Sequence, residues 1–549
     1  MKKSILLSAV ISSLCFLSSL SYAQEPEWLW ATSAGGTESD IAYSVAMDAS
    51  GNPCVAGVFH SPTITFGTTT LTNTGSNDIF VVKYDAIGNV LWAKSAAGTS
   101  IDWAHSVAVD ASGNLYVAGR FISPTITFGA YTLTNAGGFD CYDIFLVKYD
   151  LNGNVLWAKS AGGTGNDYGN SVTVDASGNP YLTGLFNSST ITFGSTTLTN
   201  AGSEDFFLAK YDVSGNVLWA KGAGGIDGDG AQSIMVDASG NPYVAGYFKS
   251  PTITFGNTTL TNAGNIDILL VKYDASGNVL WAKSAGETDD EGPLSIAVDA
   301  AGKPYVTGYF KSPTITFGSF TLTNTGSEDL FLVKYDASGN VLWAKSAIGT
   351  ESDYGFSAAV DAAGNPYVGG VFGSPTISFG SITLTNTSGG DMFLVKYDAS
   401  GNALWAKCTG GPAIAVAMSI AVDASGNPYV AGEFGSPTIN FGSTTLTSAG
   451  SYDMFLAKLE SSGVGINELS NPLNISVFPN PAIDIITLEI PGETEESNLS
   501  VINIEGQEII TLLVTESKTI INIKDLPGGV YFVRLMGEKK VQVGKFVKW

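Results

Sequence analysis

The sequence predicts an all-β protein: a seven-bladed β-propeller of four-stranded blades closed by its own N-terminal strand, then a small β-sandwich. Three observations predict it. One stretch recurs through the chain, its turns are of the hairpin kind, and the two ends of the repeated region complement each other. The tryptophans that set the period are Trp30, Trp92, Trp157, Trp219, Trp281, Trp343 and Trp405, with steps of 62, 65, 62, 62, 62 and 62 residues.

Residues 233–286 show how each strand of a unit arises. They hold the same turn twice, Asp-Ala-Ser-Gly-Asn at 237–241 and 274–278. Aspartate starts such turns by accepting hydrogen bonds from nearby backbone N–H groups, and glycine fills the left-handed position that follows. Short apolar, β-branched or aromatic runs flank both turns: SIMV and PYVAGYF, then DILLVKY and NVLWAKS. Two hairpins give four antiparallel strands, A to D in chain order. A sheet with two apolar faces is unstable alone and must stack on copies of itself. The strand D tryptophans are expected to pack between blades. Each burial removes roughly 150–250 Å² from water, at most about 4–6 kcal/mol.

Strand A is expected to begin at Ser44, Ser106, Ser171, Ser233, Ser295, Ser357 and Ser419. Strand C recurs as Asp78–Tyr84, Asp143–Tyr149, Asp205–Tyr211, Asp267–Tyr273, Asp329–Tyr335, Asp391–Tyr397 and Asp453–Leu459. Strand D is displaced. Its first copy, EWLWATSA at 27–34, precedes every A strand, and no tryptophan strand follows the last C strand. A closed ring accounts for both ends, because the N-terminal strand completes the seventh blade and removes the open edges. An open solenoid would need polar caps instead.

The pattern S-[IV]-x-V-D-A-S-G-N-x-Y-V-x-G-x-F, followed by D-x-F-L-x-K-Y-D-x-x-G-N-V-L-W-A, resembles the bacterial SBBP-type β-propeller repeat across residues 24–460. That resemblance implies a propeller and no single activity. Residues 461–471 read as a Gly/Ser/Asn linker, and 472–549 as a separate domain of half-buried strands. This tail resembles the type IX secretion C-terminal sorting domain through Phe478-Pro-Asn-Pro-Ala482, Asn503-Ile-Glu-Gly506, Leu526-Pro-Gly-Gly-Val-Tyr-Phe532 and Gly544-Lys-Phe-Val-Lys548. The resemblance implies an Ig-like β-sandwich, the type IX machinery as partner, and export across a Gram-negative outer membrane. It also implies removal of the tail, with release or surface attachment to follow. Residues 1–23 read as a secretory signal peptide: Lys2 and Lys3, an apolar run from Ile5 to Leu20, then Ser21-Tyr22-Ala23.

Composition narrows the function. Hydrophobic residues make up 44% and charged ones 14%, with 65 glycines, which suits a turn-rich all-β protein with a large core. Residues 24–466 carry 17 basic and 39 acidic side chains, a net −22. Thirteen of those bases are repeat positions, so no basic patch is left for nucleic acid. Past the signal there is no apolar stretch long enough for a membrane span. Cys54, Cys141 and Cys408 are single replacements in the repeat and imply small core fillers, with no disulfide framework.

Both Asp-Ala-Ser-Gly-Asn turns fall on one face, which is nearly identical from copy to copy. The opposite face carries the B–C inserts, such as residues 250–266, and the links between blades, and there a rigid scaffold displays binding residues. Three sets of positions diverge toward it. The residue before strand A is Tyr43, His105, Asn170, Gln232, Leu294, Phe356 or Met418. Near the end of strand B stand Val58, Arg120, Leu185, Tyr247, Tyr309, Val371 and Glu433, and two residues on His60, Ile122, Asn187, Lys249, Lys311, Gly373 and Gly435. The candidate binding face is Tyr43, His60, His105, Arg120, Asn170, Gln232, Tyr247, Lys249, Tyr309, Lys311, Phe356 and Glu433. Divergence of this kind also arises where exposed ends tolerate change.

The same face gathers carboxylates. Ten residues after each tryptophan come Asp40, Asp102, Asp167, Asp229, Glu291 and Asp353, with Ala415 breaking the set, and each C strand opens on an aspartate. Asp227, Asp229, Asp289, Asp290 and Glu291 are the candidate Ca²⁺ ligands, since hard cations need clustered oxygens. Bonds to loop backbone are the competing role. No other cofactor is implied. His60 and His105 are the only histidines, and no nucleophile elbow, HExxH, P-loop or dinucleotide fingerprint is present. The expected function is therefore a non-enzymatic, secreted or cell-surface scaffold that binds glycan or protein. The alternative is an extracellular carboxylate-dependent hydrolase or lyase on polysaccharide, with Ca²⁺ as its metal.

Overall fold

The computed structural model of the chain describes residues 26–138, 140–387, 389–461, 476–489, 497–503, 507–536 and 541–549. The expected signal peptide, and the linker beyond residue 461, lie outside the described residues. The chain divides into two compact units, Met1–Gly463 and Val464–Trp549.

The first unit is a β-propeller of repeated four-stranded antiparallel sheets. Strand β1 (Trp28–Ala34) pairs with the strand Asp453–Leu459, Ala34 opposite Met454 and Trp28 opposite Leu459. Next come β2 (Asp40–Met47), β3 (Pro53–Phe59), the hairpin β4 (Thr63–Phe66) and β5 (Thr69–Thr72), β6 (Asp78–Tyr84) and β7 (Val90–Ala96). Strands β2, β3, β6 and β7 form one sheet in that order, as strands A to D. In this sheet strands B and C are buried along their whole length because sheets cover both of their faces. The seven C strands have the expected bounds.

Turn chemistry builds the hairpins as expected. Asp48 Oδ1 accepts from Ser50 N at 2.8 Å and Asn52 N at 2.9 Å, while Gly51 takes φ +77°. The turn is also tied inward, since Lys83 of strand C pairs with Asp48 at 2.9 Å, both side chains buried.

Adjacent blades are stitched by the side chains that define the repeat. Trp92 Nε1 donates to Leu151 O at 3.1 Å, and Tyr116 OH donates to Gly178 O at 2.8 Å. The same bonds link the last sheet to the first: Trp30 Nε1 to Ala86 O at 3.2 Å, Tyr429 OH to Gly51 O at 3.4 Å, and Val45 N to Ser419 Oγ at 3.1 Å. The tryptophans do lie between blades, but only Trp157, Trp343 and Trp405 are buried and the others are half-buried, so they gain less than the ceiling set above.

Two expectations need correction. Strand A starts four residues earlier than the repeat pattern indicates, at Asp40 instead of Ser44. The divergent position lies inside the strand, at a β-bulge between Ala42 and Ser44 that recurs in every A strand. The B–C insert is not an open loop either. It forms a two-stranded hairpin whose Ile64, Phe66 and Leu71 are buried, packed near the D strands at the periphery.

The second unit contains a three-stranded sheet (Ser476–Phe478, Ile485–Glu489, Lys518–Asn522) and a four-stranded one (Ser497–Asn503, Glu508–Val514, Gly529–Met536, Val541–Lys548). Ile486, Leu499, Val533 and Phe546 belong to their shared core.

Candidate functional site

The A strands lie side by side around the propeller axis, each against its two neighbours. A bulge re-aims the extra side chain out of the regular alternation. The seven bulged residues are Tyr43, His105, Asn170, Gln232, Leu294, Phe356 and Met418, and all are half-buried. Neighbours touch along this wheel. The Tyr43 and His105 rings are 5.4 Å apart, and Asn170 Nδ2 donates to Gln232 Oε1 at 3.0 Å.

Toward the insert face the wheel meets the ends of the B strands. The register places Trp103 opposite Arg120, Gly230 opposite Tyr247, Gly292 opposite Tyr309 and Val416 opposite Glu433. Glycine at 230 and 292 leaves room for the facing tyrosine, whose ring would lie 3.2 and 2.7 Å from a Cβ there. Arg120 is enclosed by aromatic rings. Its guanidinium carbon is 4.5 Å from the centre of Trp103, 4.4 Å from Tyr168 and 5.0 Å from Tyr142. His60 supports this cluster from the side. Its Nδ1 donates to Ser39 O at 2.5 Å, and Asn77, with its amide turned to suit its neighbours, accepts from Trp103 Nε1 at 3.0 Å. In a second cluster Tyr309 meets Tyr354 edge to face at 5.4 Å and Phe356 lies tilted against it at 5.8 Å, and Tyr354 OH donates to Glu328.

Electrostatics follow from burial. His105 is depressed to about 3 by burial and then by the Arg120 charge, so its imidazole is neutral, and its buried Nε2 has no partner. Burial pushes Glu433 up to about 7 and Tyr43 to about 12, the latter helped by the Glu433 charge.

The predicted residues therefore divide. Tyr43, His60, His105 and Arg120 come together, with Glu433 near Tyr43. Asn170 meets Gln232, and Tyr309 meets Phe356 through Tyr354. Lys249 and Lys311 are exposed on the rim and join neither cluster. Sequence reasoning missed Trp103, Tyr168 and Tyr354, and also Asn77, Tyr142 and Glu328 just before strand C. Both positions vary between copies as much as those chosen, and comparing copies there would have found them.

The calcium candidates do not converge. Among the described residues no group of three or more His, Cys, Asp or Glu side chains is arranged to hold a metal ion. Asp229 is buried and occupied by loop groups: Gly225 N at 2.7 Å, Ser250 Oγ at 2.7 Å, and the N–H groups of Lys249 and Ser250 at 3.1 Å. Glu291 accepts from Glu287 N at 3.0 Å and Ser312 N at 3.1 Å. Asp227 is exposed, while Asp289 and Asp290 are half-buried. Raised, neighbouring carboxyl pairs do occur between blades. Burial and then the Asp167 charge lift Asp143 to about 7, but both are fully buried and sealed by loop backbone.

Other concavities repeat from blade to blade. A cleft of about 550 Å³ is lined by Lys221, Phe255, Tyr273, Gly277 and Val279, and one of about 400 Å³ by their equivalents 62 residues earlier. Repetition at fixed spacing marks them as scaffold.

Residues 476–549 match the family described as the secretion system C-terminal sorting domain. The chain carries a secretion sorting tail. That tail fits the type IX secretion machinery as its partner and marks a secreted or cell-surface protein. Among the described residues no helix is long and apolar enough to cross a membrane. The uncharacterized WD repeat-containing protein L264 of Acanthamoeba polyphaga mimivirus is 27% identical over 78% of this chain and 38% of its own length. The regulatory protein FlaEY of Caulobacter vibrioides is 24% identical over 52% of this chain and 32% of its own. The chain thus spans well under half of either relative. Solved structures with some likeness include PorZ, a surface component of the type IX secretion system of Porphyromonas gingivalis (TM-score 0.24, 13% identity, 92% of this chain and 81% of that one). Sqt1 from Chaetomium thermophilum is another (TM-score 0.38, 11% identity, 78% and 87%).

Proposed function

We propose that this protein is a non-enzymatic binding propeller that holds a glycan or protein ligand at the axial mouth of its insert face. In this reading SBBP-type repeats over 24–460 form a seven-bladed ring closed by β1. A signal peptide (1–23) and an Ig-like sorting domain (472–549), joined by the linker 461–471, bring the ring to the surface of a Gram-negative cell or beyond. The pairing of β1 with Asp453–Leu459 supports closure. One observation supports the binding reading: blades that are otherwise near copies diverge at the half-buried bulge of every A strand, and several of these residues touch one another. Drift at exposed ends would not collect bulky and polar side chains in contact with one another.

The hydrolase alternative needs two open carboxyl groups facing one substrate. Glu433 is half-buried and held near neutrality, but the paired aspartates are sealed in the blade links. A glycan array run on the full chain with and without calcium tests the binding reading. Specific signals that Tyr247→Ala or Tyr309→Ala removes are the expected result. Signals indifferent to every substitution in the lining would defeat it.

A further inference from the structure

The rarest side chains of the repeat region meet in one place. Arg120 is the only arginine before Arg534, His60 and His105 are the only histidines, and Trp103 lies outside the periodic tryptophan set. Tyr142 comes just after the insertion that lengthens one repeat step to 65 residues. None of these is required by the repeat, yet two adjacent blades supply them to a single neighbourhood, which Tyr168 of a third blade completes.

Arg120 lacks what a half-buried arginine ordinarily has. No hydrogen bond or ion pair engages it among the described residues, and its buried Nε has no acceptor. Burial lowers its pKa, and its charge is met only by aromatic rings. The contrast with its surroundings is sharp, because six C-strand lysines each have a buried aspartate partner. In a ring of net −22, a half-buried cation with no counter-ion is partly desolvated without a compensating ion pair. Rings at 4.4 and 4.5 Å cover the guanidinium, which leaves its N–H edge as the part open to a partner. That edge matches a planar oxyanion bidentately. Neutral His105, whose ring lies against Trp103, adds no competing charge.

We infer that Arg120, walled by Trp103, Tyr142 and Tyr168, is a carboxylate fork that anchors an acidic glycan by one uronate group. This rests on the binding reading above and narrows it to a ligand class. A single charge on an uncharged body is what the rest of the mouth admits. Glu204, whose charge bears on Tyr168 and Tyr247, and Glu328 beyond it would repel a polyanion. Tyrosine and phenylalanine faces suit the apolar face of a sugar ring.

Calorimetric titration of the full chain with sodium glucuronate, glucose, sodium glutamate and sodium sulfate tests this. Glucuronate is expected to bind measurably and glucose not. Arg120→Lys keeps the charge but loses the fork and the stacking, and should weaken glucuronate binding by about 10-fold or more. Arg120→Gln should abolish it, with melting curves confirming that both variants fold. Equal binding of glucose and glucuronate, or an unchanged Arg120→Lys, would overturn the fork. Glutamate or sulfate bound as tightly as glucuronate would overturn the uronate assignment. If neutral glycans bind and Tyr247→Ala abolishes them while glucuronate is ignored, the binding reading stands and this inference falls. If neither Arg120→Gln nor Tyr247→Ala alters any signal, both fall.

Discussion

Gly277 stands in a C–D turn at φ +83°, and a Cβ there would lie 3.0 Å from Lys221 Cε and 3.1 Å from the Trp219 ring. Gly51 takes a similar φ, +77°, in an A–B turn with nothing within 4 Å of its Cβ site. Alanine at position 51 therefore suffers only the left-handed backbone penalty, about 1–2 kcal/mol. Alanine at 277 suffers that and also crowds an interblade tryptophan. Scanning calorimetry should show Gly277→Ala melting below Gly51→Ala, and equal losses would mean that the tryptophan shelf yields freely. The Arg120 cluster shows why a site can escape a residue-by-residue reading. Arg120 was legible as an oddity among copies, but its partners come from three separate segments, and it takes the hairpin register to put Trp103 opposite it and the packing of blades to bring Tyr168 to it.

At the scale of elements, the hairpin turns were legible because their chemistry is local: an aspartate that caps and a glycine that takes positive φ. The opening of strand A was not. Positions 41 and 43 differ from copy to copy, so a search for what repeats cuts the strand short at the serine. The hairpin formed by β4 and β5 was missed for another reason. Four-residue strands of TITF and TTLT around a glycine turn carry too little pattern to distinguish them from a loop. Strand β1 is the element with the most at stake, since it alone completes the last sheet. Deleting residues 24–34 should expose the Asp453–Leu459 edge, lower the melting temperature sharply and raise light scattering. An unchanged melt would show that β1 contributes little to the ring.

For the whole molecule, acidity is distributed in two opposed populations. Burial raises Asp102, Asp205, Asp267, Asp353 and Asp453 to about 6, and Asp143 and Glu433 to about 7. Groups raised in the folded state favour folding most below their unfolded values near 4, and that advantage is lost as pH climbs through 6 to 7. The turn aspartates oppose this. Asp274 and Asp336 are lowered by the amides of Asn278 and Asn340, so their contribution is present above about 4 and lost below it. The two trends predict greatest stability in mildly acidic solution, near pH 5, with a falling melting temperature from pH 5 to pH 8. Melting curves across that range check it, and a rise toward pH 8 would show that the blade-link carboxyls ionise without cost. His105 adds one opposing step, because it is held neutral in the fold down to about pH 3 but titrates near 6.5 once unfolded, so its contribution is full above about pH 6.5 and is lost as the solution is acidified below that.

The union of Trp28–Ala34 with Asp453–Leu459 also sets a clock on folding. Strand β1 stands at the start of the repeated region and its partner at the end, and joining segments so far apart carries the largest loop-closure entropy of any strand pair among the described residues. Until residue 459 is available, β1 has no partner and every blade assembled before it belongs to an open arc. On the closed ring proposed above, a chain interrupted before residue 453 should remain such an arc, and closure waits until the whole repeated region has been made.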